Sequence, residues 1–193
     1  MDEHKFQGKY RIESTRLKDY DYSRNGAYFV TVCTKNSMHL FGSIVDQKLI
    51  PNRQAEVITE CWLGLPAHYT NCVLDKFIIM PNHVHGIIII DNEIAETGLK
   101  LNNTIVETGL KPVSTAGWGT KTYSLSEIIR GFKTFSARRI NEYQNTRGKA
   151  FWQSRFYDHI IRNREELNRI RQYIIENPLK WELEKNNHEN LFM

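Results

Sequence analysis

Apolar residues that alternate with polar ones mark strands, and apolar residues repeating at three to four positions mark helices. By that rule "GAYFVTVCTKN" (26–36), rich in β-branched and aromatic residues and closed by turn formers, reads as a strand. "HLFGSIVDQKLI" adds a short strand–turn–strand excursion. Asn52 is placed to cap a helix over about Arg53 to Leu63, with Val57, Ile58, Cys61 and Trp62 on its buried side. "VLDKFIIM" (73–80) and "HVHGIIII" (83–90) read as an antiparallel hairpin joined by the dipeptide "PN".

Residues 91–123 break the pattern. "ETGLK" occurs at 96–100 and again at 107–111 inside an 11-residue near-repeat, in a stretch of Gly, Thr, Asn and Pro that reads as a mobile loop insertion. Helix periodicity then returns in "LSEIIRGFKTFSARRINEYQ", with Ser124 or Ser126 as its cap. Leu125, Ile128, Ile129, Phe132 and Phe135 make the apolar stripe, and Lys133, Arg138 and Arg139 lie off its centre. "KAFWQSRFYDHIIR" (149–162) ends in a strand, and a last helix from about Arg164 to Asn177 turns Leu167, Ile170 and Ile174 inward. Pro178 is expected to stop that helix, because proline disfavours helical backbone in the residue before it. Strand, helix, strand, strand, helix, strand and a further helix suit one α+β domain: a ferredoxin-like antiparallel sheet with helices on one face, plus a C-terminal helix.

Composition narrows the function classes. The chain has 193 residues, 40% apolar and 25% charged, which fits one globular domain. Its apolar runs are too short for a bilayer span, and its charged N-terminus lacks the apolar core of a secretory signal. Cys33, Cys61 and Cys72 are odd in number and without C-x-x-C spacing, so a reducing cytoplasm is the expected setting. Net charge is +4, and its distribution is uneven: residues 121–180 hold 13 Lys/Arg against 6 Asp/Glu, whereas the rest hold 13 against 16. A basic C-terminal third fits a polyanionic partner, although solvated helix faces would look the same.

The chemistry concentrates in "MPNHVHG" (80–86). In a strand, His83 and His85 share a face while Val84 enters the opposite layer. Two imidazoles about 7 Å apart along one face can clamp a divalent cation if a third ligand arrives from elsewhere. Two hydrogen-bonded strand histidines are the commoner arrangement, but flanking by "FIIM" and "GIIII" puts this pair at the end of a buried hairpin, where imidazoles need a strong reason to be present.

"MPNHVHGIIII" resembles the His–hydrophobic–His motif of the single-tyrosine HUH transposases. "FWQSRFYDHIIRNREELNRIRQYIIENPLKW" (151–181) is similar to the C-terminal signature of their REP-associated branch. The resemblance runs from about Tyr28 to Trp181 and leaves out the 91–123 insertion, which is longer than the family pattern requires. It implies that Tyr173, four residues before the Asn of "NP", is the nucleophile on the C-terminal helix. It also implies that Asn177, one turn later, joins His83 and His85 as the third ligand of a Mg²⁺ or Mn²⁺ ion. Spacing of four agrees, since it puts both residues on one helix face. On their own, Tyr173 would read as a core-rim tyrosine and Asn177 as a helix cap before proline.

Tyr157, in "RFYDH", is the competing nucleophile. With Trp152 and Phe156 it could equally stack on bases or pack. The implied reaction is metal-dependent cleavage and transfer of single-stranded DNA through a covalent 5′-phosphotyrosine, on the hairpins of palindromic repeats. Arg130, Lys133, Arg138, Arg139, Arg155 and Arg162 are candidate phosphate contacts by charge and position. A non-catalytic hairpin-DNA binder and a metal-dependent phosphodiester hydrolase remain open as alternatives. The family includes monomers and homodimers, and no surplus apolar helix face marks this chain for pairing, which favours a monomer. An insertion folded over the hairpin would gate DNA access.

Overall fold

The computed structural model describes residue 17, residues 19–97 and residues 121–186. Its main sheet has four strands: β1 (Gly26–Cys33), β4 (Cys72–Met80), β5 (His83–Ile90) and β6 (Tyr157–Ile161). Between β1 and β4 lie the small hairpin β2 (Gly42–Val45) and β3 (Lys48–Pro51), then α1 (Arg53–Leu63) and α2 (Leu65–His68). After β5 come α3 (Asn92–Thr97) and α4 (Leu125–Tyr143), and after β6 comes α5 (Arg164–Asn186). The sheet order is β4-β5-β1-β6, with every neighbouring pair antiparallel. This is the ferredoxin-like arrangement, in which each helical crossover returns the chain to a strand that is not its predecessor's neighbour. Among the described residues no helix is long and apolar enough to cross a membrane.

Alternation along the strands divides the molecule into two layers. One layer packs Tyr28, Val30 and Val32 of β1 with Val84, Ile88 and Ile90 of β5 beneath Ile58 and Trp62 of α1 and Leu125, Ile128, Ile129 and Phe132 of α4. The other packs Phe29, Ile87 and Ile161 beneath Ile170 and Ile174 of α5. The two crossover helices therefore share one face, and the C-terminal helix covers the other.

Local chemistry explains the element ends. The Asn52 side chain accepts from the Ala55 amide at 3.1 Å and starts α1. Ser124, rather than Ser126, starts α4 through a reciprocal capping box with Glu127. The β2–β3 turn uses Asp46 and Gln47, with φ of 48° and 59°, the left-handed pair that a two-residue hairpin turn requires. Gly86 lies where a Cβ would come within 2.3 Å of the Trp62 ring, so only glycine lets α1 approach β5 this closely.

Three expectations are corrected. Phe135 is 45% exposed and stacks on His68 at the rim. Ser136 takes the inward position and accepts a hydrogen bond from the Trp152 indole at 3.0 Å. Pro178 does not end α5, which continues through it to Asn186. The lost hydrogen bond of a mid-helix proline costs about 3 kcal/mol or more, and packing of the continued helix offsets it: Trp181, beyond the proline, lies against His39 and His83 with ring centroids 5.4 and 5.9 Å away. Within the expected 91–123 loop, Asn92–Thr97 is helical.

Residues 98–120 of that loop lie outside the described residues, but its flanks are placed. Buried Asn71 donates to the Asn92 side chain and to the Tyr123 carbonyl, and accepts from the Tyr123 amide. Both flanks thus meet at the Ile90 end of β5, the far end of the strand from His83.

Candidate active site

The hairpin turn that carries His83 is clamped from outside. The Pro81 carbonyl accepts from the amides of Leu40 and Phe41, and the Asn82 carbonyl accepts from both the amide and the hydroxyl of Thr34. With the turn held, register aligns His83 with Cys33 and His85 with Thr31 on the face covered by α5. The two imidazoles converge, with their Nε2 atoms 2.9 Å apart.

Each ring is held at its other nitrogen. Nδ1 of His83 lies 2.6 Å from Oδ1 of Asn82, and Nδ1 of His85 lies 2.8 Å from Oγ1 of Thr31. Phe29 stacks on His85 at 5.3 Å and limits its rotation. His85 is only 7% exposed. Burial lowers the His83 pKa to about 4, and burial followed by the charge of His83 lowers that of His85 to about 3. Both rings are therefore neutral at pH 7, the form that coordinates metals.

Helix α5 brings the remaining residues. The Tyr173 ring packs edge-on against His85 at 5.4 Å and against Phe29 at 5.9 Å. Asn177, one turn later, is 6% exposed, and Trp181, one turn later again, reaches His83. Asn177 is thus bracketed on its helix face by two side chains that touch the two histidines. The Lys180 ammonium lies 4.9 Å over the Tyr173 ring. Helix position is set by Arg171, which grips Asp75 through two bonds of 2.9 and 2.5 Å, at an irregularity of β4 between Leu74 and Phe77. Such a bulge re-aims a side chain out of the regular ladder.

The donor set suits a divalent cation. Adjacent ligands about 2.1 Å from an octahedral ion stand about 3 Å apart, which matches the spacing of the two Nε2 atoms. Outer-nitrogen contacts of the kind made by Asn82 and Thr31 are those that orient metal-binding imidazoles. Among the described residues no group of three His, Cys, Asp or Glu comes together, so a third ligand drawn from these residues would be of another type. The Asn177 side chain is of that type.

The other expected site residues fall elsewhere. Tyr157 shares the His85 face through the cross-strand row His85–Thr31–Tyr157. It is 46% exposed on an edge strand, two strands from His85, whereas Tyr173 touches that ring. Trp152 is corrected: at 7% exposure it packs among Phe41, Phe132 and Phe151 and has no face to offer a base. Lys133 is also committed, since its ammonium donates to the carbonyls of Gln153, Ser154 and Arg155. Arg130, Arg138 and Arg139 lie on α4, in the layer opposite the histidines. Arg138 is paired with Glu142 at 2.9 Å and Arg139 with Glu60 at 2.5 Å. Arg162 follows the far end of β6, and Arg155 precedes the near end, two residues before Tyr157. Sequence reading missed Thr31, Asn82, Trp181 and the Asp75–Arg171 pair. Of these, Asn82 lies beside His83 in its motif and Arg171 and Trp181 lie within the C-terminal signature, whereas Thr31 and Asp75 carried no signal in the linear chain.

Known proteins resemble this chain in sequence and in fold. The model of the family described as "Transposase IS200 like" matches residues 119–177, the stretch that contains α4, β6 and Tyr173. A protein of Haemophilus influenzae described as uncharacterized is 35% identical over 179 residues, which cover 91% of this chain and 92% of that protein. The solved structure of a REP-associated tyrosine transposase bound to a REP hairpin has the same fold, with a TM-score of 0.53 at 16% identity, covering 88% of this chain and 74% of that one. The chain belongs to the IS200-like transposase family, whose function is that of a DNA transposase.

Proposed function

We propose that this protein cleaves single-stranded DNA next to a hairpin and transfers the strand through a covalent bond to Tyr173. The observation that carries the reading is the convergence of the His83 and His85 Nε2 atoms directly beside the Tyr173 ring. His83, His85 and the Asn177 amide oxygen would hold one Mg²⁺ or Mn²⁺, which supplies positive charge to a non-bridging oxygen of the scissile phosphate. Imidazole is a softer ligand than Mg²⁺ prefers, so Mn²⁺ is the tighter-binding ion.

The Tyr173 phenolic oxygen attacks phosphorus as the P–O3′ bond breaks. Tyrosine loses its proton to water, and the departing 3′ oxygen gains one, leaving a 5′-phosphotyrosine and a free 3′-OH. One phosphodiester replaces another, so the step reverses without an external energy source, and a second 3′-OH can take the strand. Packing of Tyr173 against His85 and Phe29 limits the directions its hydroxyl can take. Lys180, which lies over the Tyr173 ring and 3.6 Å from the Glu176 carboxylate, would supply a further positive charge near that ring. Arg155, at the near end of β6, is the candidate backbone contact among the arginines named above, and the hairpin held by the similar solved structure supports a hairpin substrate.

The test is a denaturing gel of the protein with end-labelled hairpin single-stranded DNA and Mn²⁺, beside Tyr173→Phe and Tyr157→Phe. A metal-dependent covalent band that survives Tyr157→Phe and vanishes in Tyr173→Phe is expected. Loss in Tyr157→Phe alone would move the nucleophile to β6, and cleavage with no adduct would indicate a hydrolase that activates water.

A further inference from the structure

Cutting an unpaired strand at one phosphodiester requires that the nucleotide bonded to that phosphate be held still. An unpaired base offers two flat faces, and aromatic side chains hold such faces by stacking, whatever the base. Trp62 and Trp152 cannot serve, since both lie in the layer beneath α1 and α4 at 0% and 7% exposure. Trp181 differs from both. It is half-buried, on α5, with its ring against His83.

The surroundings of that indole suit a planar guest. His39 and His83 meet it at interplanar angles of 57° and 47°, so neither lies flat on it as Phe135 does on His68 at 26°. His39 itself is exposed. The indole therefore joins a proposed metal ligand to an open aromatic ring at the protein surface.

The loop that presents His39 is tied to the turn that presents His83. The Thr34 hydroxyl donates to the Met38 carbonyl at 2.8 Å and to the Asn82 carbonyl at 3.0 Å. The amides of Leu40 and Phe41 donate to the Pro81 carbonyl at 2.8 and 3.0 Å, and the Asn82 amide nitrogen donates to the Ser37 carbonyl at 3.2 Å. His39 is thus held in place from both sides along the chain, and a platform already in place spares much of the ordering cost of binding.

We propose that Trp181, with His39 beside it, is the stacking platform for the base of the nucleotide bonded to the scissile phosphate. Contact with His83 sets the position, because a base on this ring has its own phosphate within reach of the histidine pair. The inference rests on the proposed cleavage at Tyr173 for the place of that phosphate. It also gives a second reason for α5 to continue through Pro178, beyond which Trp181 lies.

The test measures binding in the full chain carrying Tyr173→Phe, so that no cleavage intervenes. The probe is a fluorescent hairpin oligonucleotide with single-stranded flanks, followed by anisotropy with Mn²⁺ present. Losing a stacking ring weakens binding about 5- to 100-fold, which is the loss expected in Trp181→Leu, and Trp181→Phe should recover most of it. Since Trp181 also packs α5, a second measurement separates stacking from folding: abasic residues are placed along the flanks one at a time. In the parent background one position should carry a penalty of that size, and in Trp181→Leu the same position should carry none. Unchanged binding in Trp181→Leu, or an abasic penalty that persists there, would overturn the platform, and so would failure of the parent background to bind the probe. Adduct formation by the protein with Tyr173 intact is scored separately. An abasic position matched to Trp181 without any adduct would refute cleavage and leave the platform standing, whereas an adduct without a matched position would refute the platform alone.

Discussion

Both faces of the sheet are built from the same strands, yet they differ in what they bury. Toward α1 and α4, β1 and β5 contribute Tyr28, Val30, Val32, Val84, Ile88 and Ile90, sealed by the Trp62 and Phe132 rings. Toward α5, the intervening positions include Phe29 and Ile87 but also Thr31, His83 and His85. One face is a closed apolar layer. The other is apolar at one end and polar at the hairpin end, under a helix that brings Tyr173 and Asn177. Period-two alternation lets one strand serve both layers, so residues that hold the fold together and residues that carry chemistry occupy adjacent positions without competing for the same space.

That division makes unequal demands on the two layers. The largest effect on stability is expected from the closed face: Phe132→Ala should cost about 3–5 kcal/mol in urea unfolding, while its folded fraction keeps the parent's Mn²⁺ affinity. A weakened metal affinity in that folded fraction would mean that the layers are coupled.

Acid should act on the other face. The unfolded chain protonates His83 and His85 near pH 6.5, whereas the folded protein resists until about pH 4 and about pH 3. The unfolded state therefore binds more protons across that interval. Stability contributed by keeping both rings neutral is present above pH 6.5 and is lost as pH falls toward 4 and then 3. Between pH 6.5 and 5 this loss precedes the uptake of protons by carboxylates such as Asp75, which Arg171 holds below the usual range. Urea midpoints measured across that window should decline in the parent and stay flat in a His83→Asn, His85→Asn double variant.

The smallest change in stability separates placement from folding. The Asp75–Arg171 pair is partly solvent-exposed, so Asp75→Asn should cost about 1 kcal/mol or less. Misplacing a reacting group by about 1 Å can cost 100-fold in rate, so covalent adduct formation should fall at least about tenfold. Equal, small losses in stability and adduct would show that packing of Ile170 and Ile174 positions α5 without help.

Much of the scaffold was legible in the linear chain. Runs rich in β-branched and aromatic residues marked β1, β5 and β6, the Asn52 cap and its apolar stripe marked α1, and element order pointed to the ferredoxin-like sheet. Local rules failed where tertiary packing outweighed them. Pro178 should end a helix by its own geometry, but Trp181 finds His39 and His83 beyond it. Phe135 and Trp152 exchanged the roles their types suggested, because α4 turns Ser136 toward the layer and the indole follows it inward.

The sequence by itself determined that His83 and His85 share a face, since that follows from the two-residue period of a strand and needs no partner. It also determined that Tyr173 and Asn177 share a helix face, for the same kind of reason. Only the tertiary structure decided that these two faces meet, that Thr31 and Asn82 are the groups holding the imidazoles, and that the basic residues of α4 lie in the opposite layer. Strand register, helix docking and the Asp75–Arg171 contact bring together residues as many as 96 positions apart, and no periodicity in a linear chain encodes a distance of that kind.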